Sequence, residues 1–129
     1  MRVIAAIVAI LGLGVLVMGV LFITQAASAR TEIVEQIAPL PAADVEAKYD
    51  EVAAKQNQIK AAEEPKIQAG QAAPSAMYNY LSAQRASLSV AKANLGTADF
   101  VRMSGMVTAV LGLAVVLAGI VLFKNQASA

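Results

Sequence analysis

Two uninterrupted apolar runs, Val3 to Ile23 and Met103 to Phe123, flank a polar middle in which acidic, basic and apolar positions alternate with helical spacing. Each run is 21 residues long and contains no ionisable side chain. At about 1.5 Å per residue a helix of that length covers roughly 31 Å, the thickness of a bilayer's hydrocarbon core. The pattern therefore predicts transmembrane helices over residues 1–24 and 102–124, followed by a short C-terminal tail, 125–129. No third apolar run lies between them, so the two helices must cross in opposite directions as an antiparallel hairpin.

The middle of the chain has its own period. Val45, Tyr49, Val52, Gln56, Ile59 and Glu63 are spaced alternately by four and three residues, and so are Met77, Leu81, Gln84, Leu88, Ala91 and Leu95. That spacing places each set on one face of a helix, over about 42–63 and 75–95. Between them, Glu64-Pro65 through Ala73-Pro74-Ser75 holds Gly70 and two prolines, which end one helix and open the next with Ser75 as N-cap. Folding the pair back on itself aligns Val45 with Leu95, Tyr49 with Ala91, Val52 with Leu88, Gln56 with Gln84 and Ile59 with Leu81. This is the layering of an antiparallel coiled coil, with bulky Tyr49 against small Ala91. Gln56 against Gln84 would satisfy both amides and penalise slipped registers; the alternative is that both lie beside the seam in water.

The expected fold is thus an all-α membrane protein: two transmembrane helices joined by an extramembrane, coiled-coil-like helical hairpin over residues 42–101. The ascending side carries a surplus, residues 25–41, with Pro39 and Pro41. It reads as a linker whose Ile33, Val34, Ile37 and Leu40 suit a brief interfacial helix or a partner contact. On the descending side a single helix through Gly96 is expected, with a cap at Asn94-Leu95-Gly96 as the alternative.

Residues 1–29 and 101–129 align without a gap at ten identical positions, among them Arg2 with Arg102, Leu11-Gly12-Leu13 with Leu111-Gly112-Leu113 and Ala27-Ser28-Ala29 with Ala127-Ser128-Ala129. Small residues recur at matching places, Ala5, Ala9, Gly12 and Gly19 in the first copy and Gly105, Ala109, Gly112 and Gly119 in the second. Such a stripe lets two membrane helices approach closely, which is how they gain contact energy when lipid is as apolar as Leu. A common enrichment of Gly and Ala in membrane helices would leave a similar trace.

Composition narrows the chemistry. All nine acidic residues and eight of the ten basic ones lie between Arg30 and Arg102, a net charge of −1 for that segment, which argues against nucleic-acid partners. The chain has no Cys and no His, so thiolate and imidazole chemistry lose their residues. Adjacent Glu63 and Glu64 supply too few oxygens for a hard cation and read as solvated charge. Tyr78 and Tyr80, beside the turn, suit contact with a partner protein. No catalytic residue, metal ligand, cofactor or small-molecule substrate is indicated.

Met1-Arg2 and Ala27-Ser28-Ala29 resemble the ends of a secretory signal, but signal cores run about 7 to 15 residues, and retention as an anchor is expected. Long loops translocate largely regardless of charge, so the middle is placed outside and both termini in the cytoplasm, in a cytoplasmic membrane of bacterial or archaeal type. The functional expectation is a non-catalytic structural or accessory subunit, docked on larger membrane subunits and bracing or recruiting a partner with its helical ectodomain. The alternative is a self-oligomerising scaffold or signal-transmitting hairpin. A channel or transporter subunit fits less well, since only Thr24, Ser104 and Thr108 could give a pore polar groups.

Overall fold

The computed structural model of the chain describes residues 2–127. Met1, Ser128 and Ala129 lie outside the described residues, and with them the end of the C-terminal Ala-Ser-Ala repeat. Three helices, α1 (Arg2–Ile37), α2 (Val45–Gln68) and α3 (Ala76–Ala127), and one short 3-10 turn (Ala42–Asp44) make up the fold, with no strand among the described residues. Both α1 and α3 contain a stretch long and apolar enough to cross a membrane. Only 11% of the most apolar window of each is buried within the chain, unlike the core helix of a soluble domain.

Residues 25–37, expected as a linker, instead continue α1. The reason is local: Thr24 to Ile37 contains neither Gly nor Pro and is rich in Ala, Gln and Glu, which are good helix formers. The helix ends where Pro39 disfavours helical geometry at Ala38. Similarly, α2 runs past Glu63 and carries Pro65 inside its last turns. What stops it is Gly70, whose φ of +68° lies in the left-handed region. Its N–H donates to the Ile67 carbonyl at 3.0 Å and that of Gln71 to Lys66 at 2.9 Å, the paired bonds of a Schellman ending.

Ser75 caps α3, its hydroxyl accepting the Tyr78 N–H at 3.0 Å, while its own N–H donates to Glu63 Oε2 at 3.0 Å and ties the two helix ends together. From there α3 passes through Gly96 without a break.

Contacts divide the chain into two compact units, one holding the chain up to Thr31 and from Thr97 onward, the other Glu32–Gly96. In the second, Val52, Leu81 and Leu88 form one buried cluster with Leu40, Tyr49 and Ile59 against it. Val45, Ala91 and Leu95 form another, flanked by Ile33, Ile37, Leu40 and Ala42. The end of α1 is therefore a third wall of this core, and the four-three step of Ile33, Ile37 and Leu40 reads as a buried stripe.

Leu88 is 7% exposed. Leu88→Ala should cost about 2 to 4 kcal/mol, the range for truncating a buried Leu. Ser89→Ala, on the exposed side of the same turn, should stay within about 0.5 kcal/mol. Thermal or denaturant unfolding of the detergent-solubilised chain followed by circular dichroism checks the contrast.

Candidate functional site

In the first unit the interaction surface is made of backbone. Gly12, Gly19, Gly105, Gly112 and Gly119 are all buried, as is Ala5 at 1% exposure, while Ala9 and Ala109 are half-buried. A Cβ added to Gly19 would lie 2.4 Å from the Ala109 nitrogen and 2.8 Å from the Gly105 carbonyl oxygen. On Gly12 it would lie 2.6 Å from the Val116 nitrogen, on Gly112 2.4 Å from the Leu16 nitrogen, and on Gly119 2.8 Å from the Ala9 nitrogen. These meeting points descend along α3 as they ascend along α1. Real Cβ atoms do not approach other atoms so closely, and the obstructing atoms here are main chain, which cannot swing aside as a flexible side chain does.

The glycines do not all meet head on. Gly12 nests against Val115 and Val116, and Gly112 against Leu16, with the Gly12 carbonyl oxygen 2.9 Å from its added Cβ. Leu16 and Val116 thus fill the spaces between small residues. Ala26 and Ala98, 4% and 6% exposed, extend the buried small positions at each end. Sequence reading missed both, although a step of seven from Gly19 and from Gly105 reaches them. Gly14 has nothing within 4 Å of an added Cβ and belongs to the outward surface with Leu13, Leu113 and most of the large apolar side chains.

Polar groups within the apolar runs are satisfied by their own helix. Thr24 Oγ1 donates to the Leu21 carbonyl at 2.9 Å and Thr108 Oγ1 to Ser104 at 2.8 Å, the arrangement a hydroxyl needs where no water competes. In the same unit Arg30 pairs with Asp99.

The second unit carries the charge network. Gln56 and Gln84 do not form the amide pair. Gln56 Nε2 donates to Ser82 Oγ at 2.9 Å and its Oε1 accepts from Arg85 Nη1 at 2.7 Å, while Gln84 borders a shallow groove with Gln36, Ile37 and Leu40. Arg85 is long enough to reach across one turn and offers a charged donor, which outcompetes a neutral amide. It also stands 5.7 Å from the Tyr49 ring centre, and Lys92 stands 5.4 Å from the same ring, so Tyr49 is held between two cations. Lys92 in turn donates to Glu46 at 2.7 Å.

Of the tyrosines near the turn, Tyr80 is exposed and Tyr78 half-buried. Expected layer partners Val45 and Leu95 share one buried cluster, and Val52 and Leu88 share the other with Leu81 and Ile59; Tyr49 and Ala91 fall in different clusters. Among the described residues, no three His, Cys, Asp or Glu side chains come together as metal ligands would.

Hydrogen bonds from Lys48 and Lys55 hold the Glu51 carboxyl at about 2, well below its ordinary value of 4.5. Lys92 lowers Glu46, and the backbone N–H of Ser75 lowers Glu63. Glu46 raises Lys92 in return.

Comparison of the chain with protein-family models, curated proteins and solved structures finds no match.

Gly12→Leu and Gly112→Leu should each separate the α1 and α3 backbones and cost at least about 3 kcal/mol, the upper range for overpacking a filled site. Leu13→Phe and Leu113→Phe, on exposed positions, should be tolerated. Thermal stability of the detergent-solubilised chain separates the two outcomes, and equal behaviour of all four variants would remove the seam.

A depressed carboxyl stabilises the fold fully above its unfolded value and loses that contribution as pH falls. The second unit should therefore loosen at low ionic strength as pH drops from about 4.5 toward 2, the interval spanned by Glu51. Glu51→Gln should flatten the acid slope of helical ellipticity, and an unchanged slope would show that these lysines do not hold Glu51 in solution.

Proposed function

We propose that this chain is a non-catalytic accessory subunit of a membrane protein complex. Its apolar parts of α1 and α3 form a two-span antiparallel hairpin, and residues 32–96 form a helical ectodomain that braces or recruits a partner. The observation that carries the reading is the pairing of a filled interior with an apolar exterior. The glycines are occupied by the chain's own backbone, while 89% of each apolar window (the complement of the 11% buried) is left facing outward. Lipid and the flanks of larger integral subunits are the surroundings that such a surface fits.

This arrangement moves the docking surface. Because the Gly/Ala seam is used within one chain, larger subunits meet the outward side chains, such as Leu13, Val17, Leu113 and Leu117. A scaffold assembling through the same glycines would have to open the seam first. A pore is disfavoured because Thr24 and Thr108 spend their hydroxyl protons on their own helices. The signal-like first segment supports an orientation with both termini cytoplasmic and the ectodomain outside.

Gentle detergent extraction followed by native mass measurement should return the intact chain bound to at least one larger membrane protein. Recovery solely as a monomer or as copies of itself would end the accessory-subunit reading. Labelling of Gly70→Cys in this Cys-free chain by a membrane-impermeant maleimide, applied to intact cells, should succeed. Labelling only after lysis would reverse the orientation.

A further inference from the structure

Residues 76–96 of α3 present a second periodic face that the core does not use. Ala76, Tyr80, Ala83, Ser87, Val90 and Asn94 repeat the four-three spacing one position before the buried set, and all six are exposed. Tyr80 and Val90 are each 60% exposed. The stretch carries only two charged side chains, Arg85 and Lys92, and both are turned to α2, on Gln56 and Glu46 respectively. Beside this face the end of α1 leaves a groove of about 320 Å³ bordered by Ile33, Gln36, Val90 and Asn94 with no ionisable lining residue.

We propose that this face binds a second copy of the chain, α3 against α3, parallel and in register about a twofold axis. Charge argues for the occupant. Nine ionisable side chains lie on α2, so a copy docking there would have to desolvate mixed charges, whereas the α3 face is neutral and matches itself without an unpaired ion. An isologous contact requires such a self-matching surface. In heptad terms Tyr80, Ser87 and Asn94 occupy a positions and Ala76, Ala83 and Val90 occupy d positions. Asn at an a position fixes a parallel two-stranded register, at a cost in strength that the small d residues share. The parallel sense rests on the membrane reading above, since copies anchored in one bilayer share one orientation.

The test uses oxidative cross-linking of single cysteines in membranes containing the full chain. Tyr80→Cys and Val90→Cys should each give a species of twice the chain's mass at about ten times the yield of Lys55→Cys on α2, because a disulfide forms only when Cα atoms come within about 7 Å. Adding Val90→Glu to the Tyr80→Cys chain should abolish that product by opposing like charges across the axis. Equal yields from all three cysteines would mean random collision and overturn the proposal. Cross-linking to a protein of different mass would assign the face to another partner and overturn it as well. Self-cross-linking of Ser87→Cys alone, without Tyr80→Cys, would mean antiparallel pairing and refute the register. Carbonate extraction of the same membranes tests the membrane reading separately: release of the chain would refute that reading, whatever the cross-linking result.

Discussion

Direct backbone contact along the glycines is the constraint on which the first unit depends. Five positions on two helices admit no side chain, because the space a Cβ would take is already filled by main-chain atoms of the other helix. In an apolar solvent the hydrophobic effect does not drive helices together, and close packing is what remains. The seam supplies it by removing side chains where the backbones meet and by setting Leu16 and Val116 between the small residues. Large apolar side chains are consequently displaced to the outside, where 55% exposure at Leu13 and 49% at Leu113 is an advantage in lipid and a liability in water.

The second unit is held by a different balance. Its buried residues are few, Val45, Val52, Leu81, Leu88, Ala91 and Leu95 chief among them, and the end of α1 covers part of what two helices alone would leave open. Around this small core the lysines and glutamates are paired at short range, with Glu51 bridging Lys48 and Lys55 at 2.8 and 2.6 Å. Exposed pairs of this kind contribute little individually. Their arrangement matters more: the charges gather on α2, and the two cations of α3 are drawn to the α2 side, which leaves the other face of α3 neutral.

Helical periodicity and the apolar runs were legible in the sequence because both follow from spacing alone. The buried small positions of the first unit and the cap at Ser75 were legible for the same reason. What escaped depends on side-chain reach or on competition between neighbours. Gln56 was expected to meet Gln84, but Ser82 and Arg85 lie within range of the same amide, and spacing does not rank them. The prolines were misleading in both places. Pro39 ends α1 only at Ile37, so residues 25–37 stay helical, and Pro65 is tolerated near the end of α2 because Gly70 provides the stop. Ala26 and Ala98 were hidden among many alanines, and only the seven-residue step from the glycines distinguishes them.

The most direct test of the seam leaves the sequence unaltered. Solid-state NMR on the chain in lipid bilayers, with 13C at the glycine Cα and 15N at alanine and valine, reports which nitrogens lie next to each glycine. The account predicts through-space transfer from Gly19 to the Ala109 nitrogen, from Gly12 to that of Val116 and from Gly119 to that of Ala9. Glycine signals that correlate only with their own sequence neighbours would contradict it.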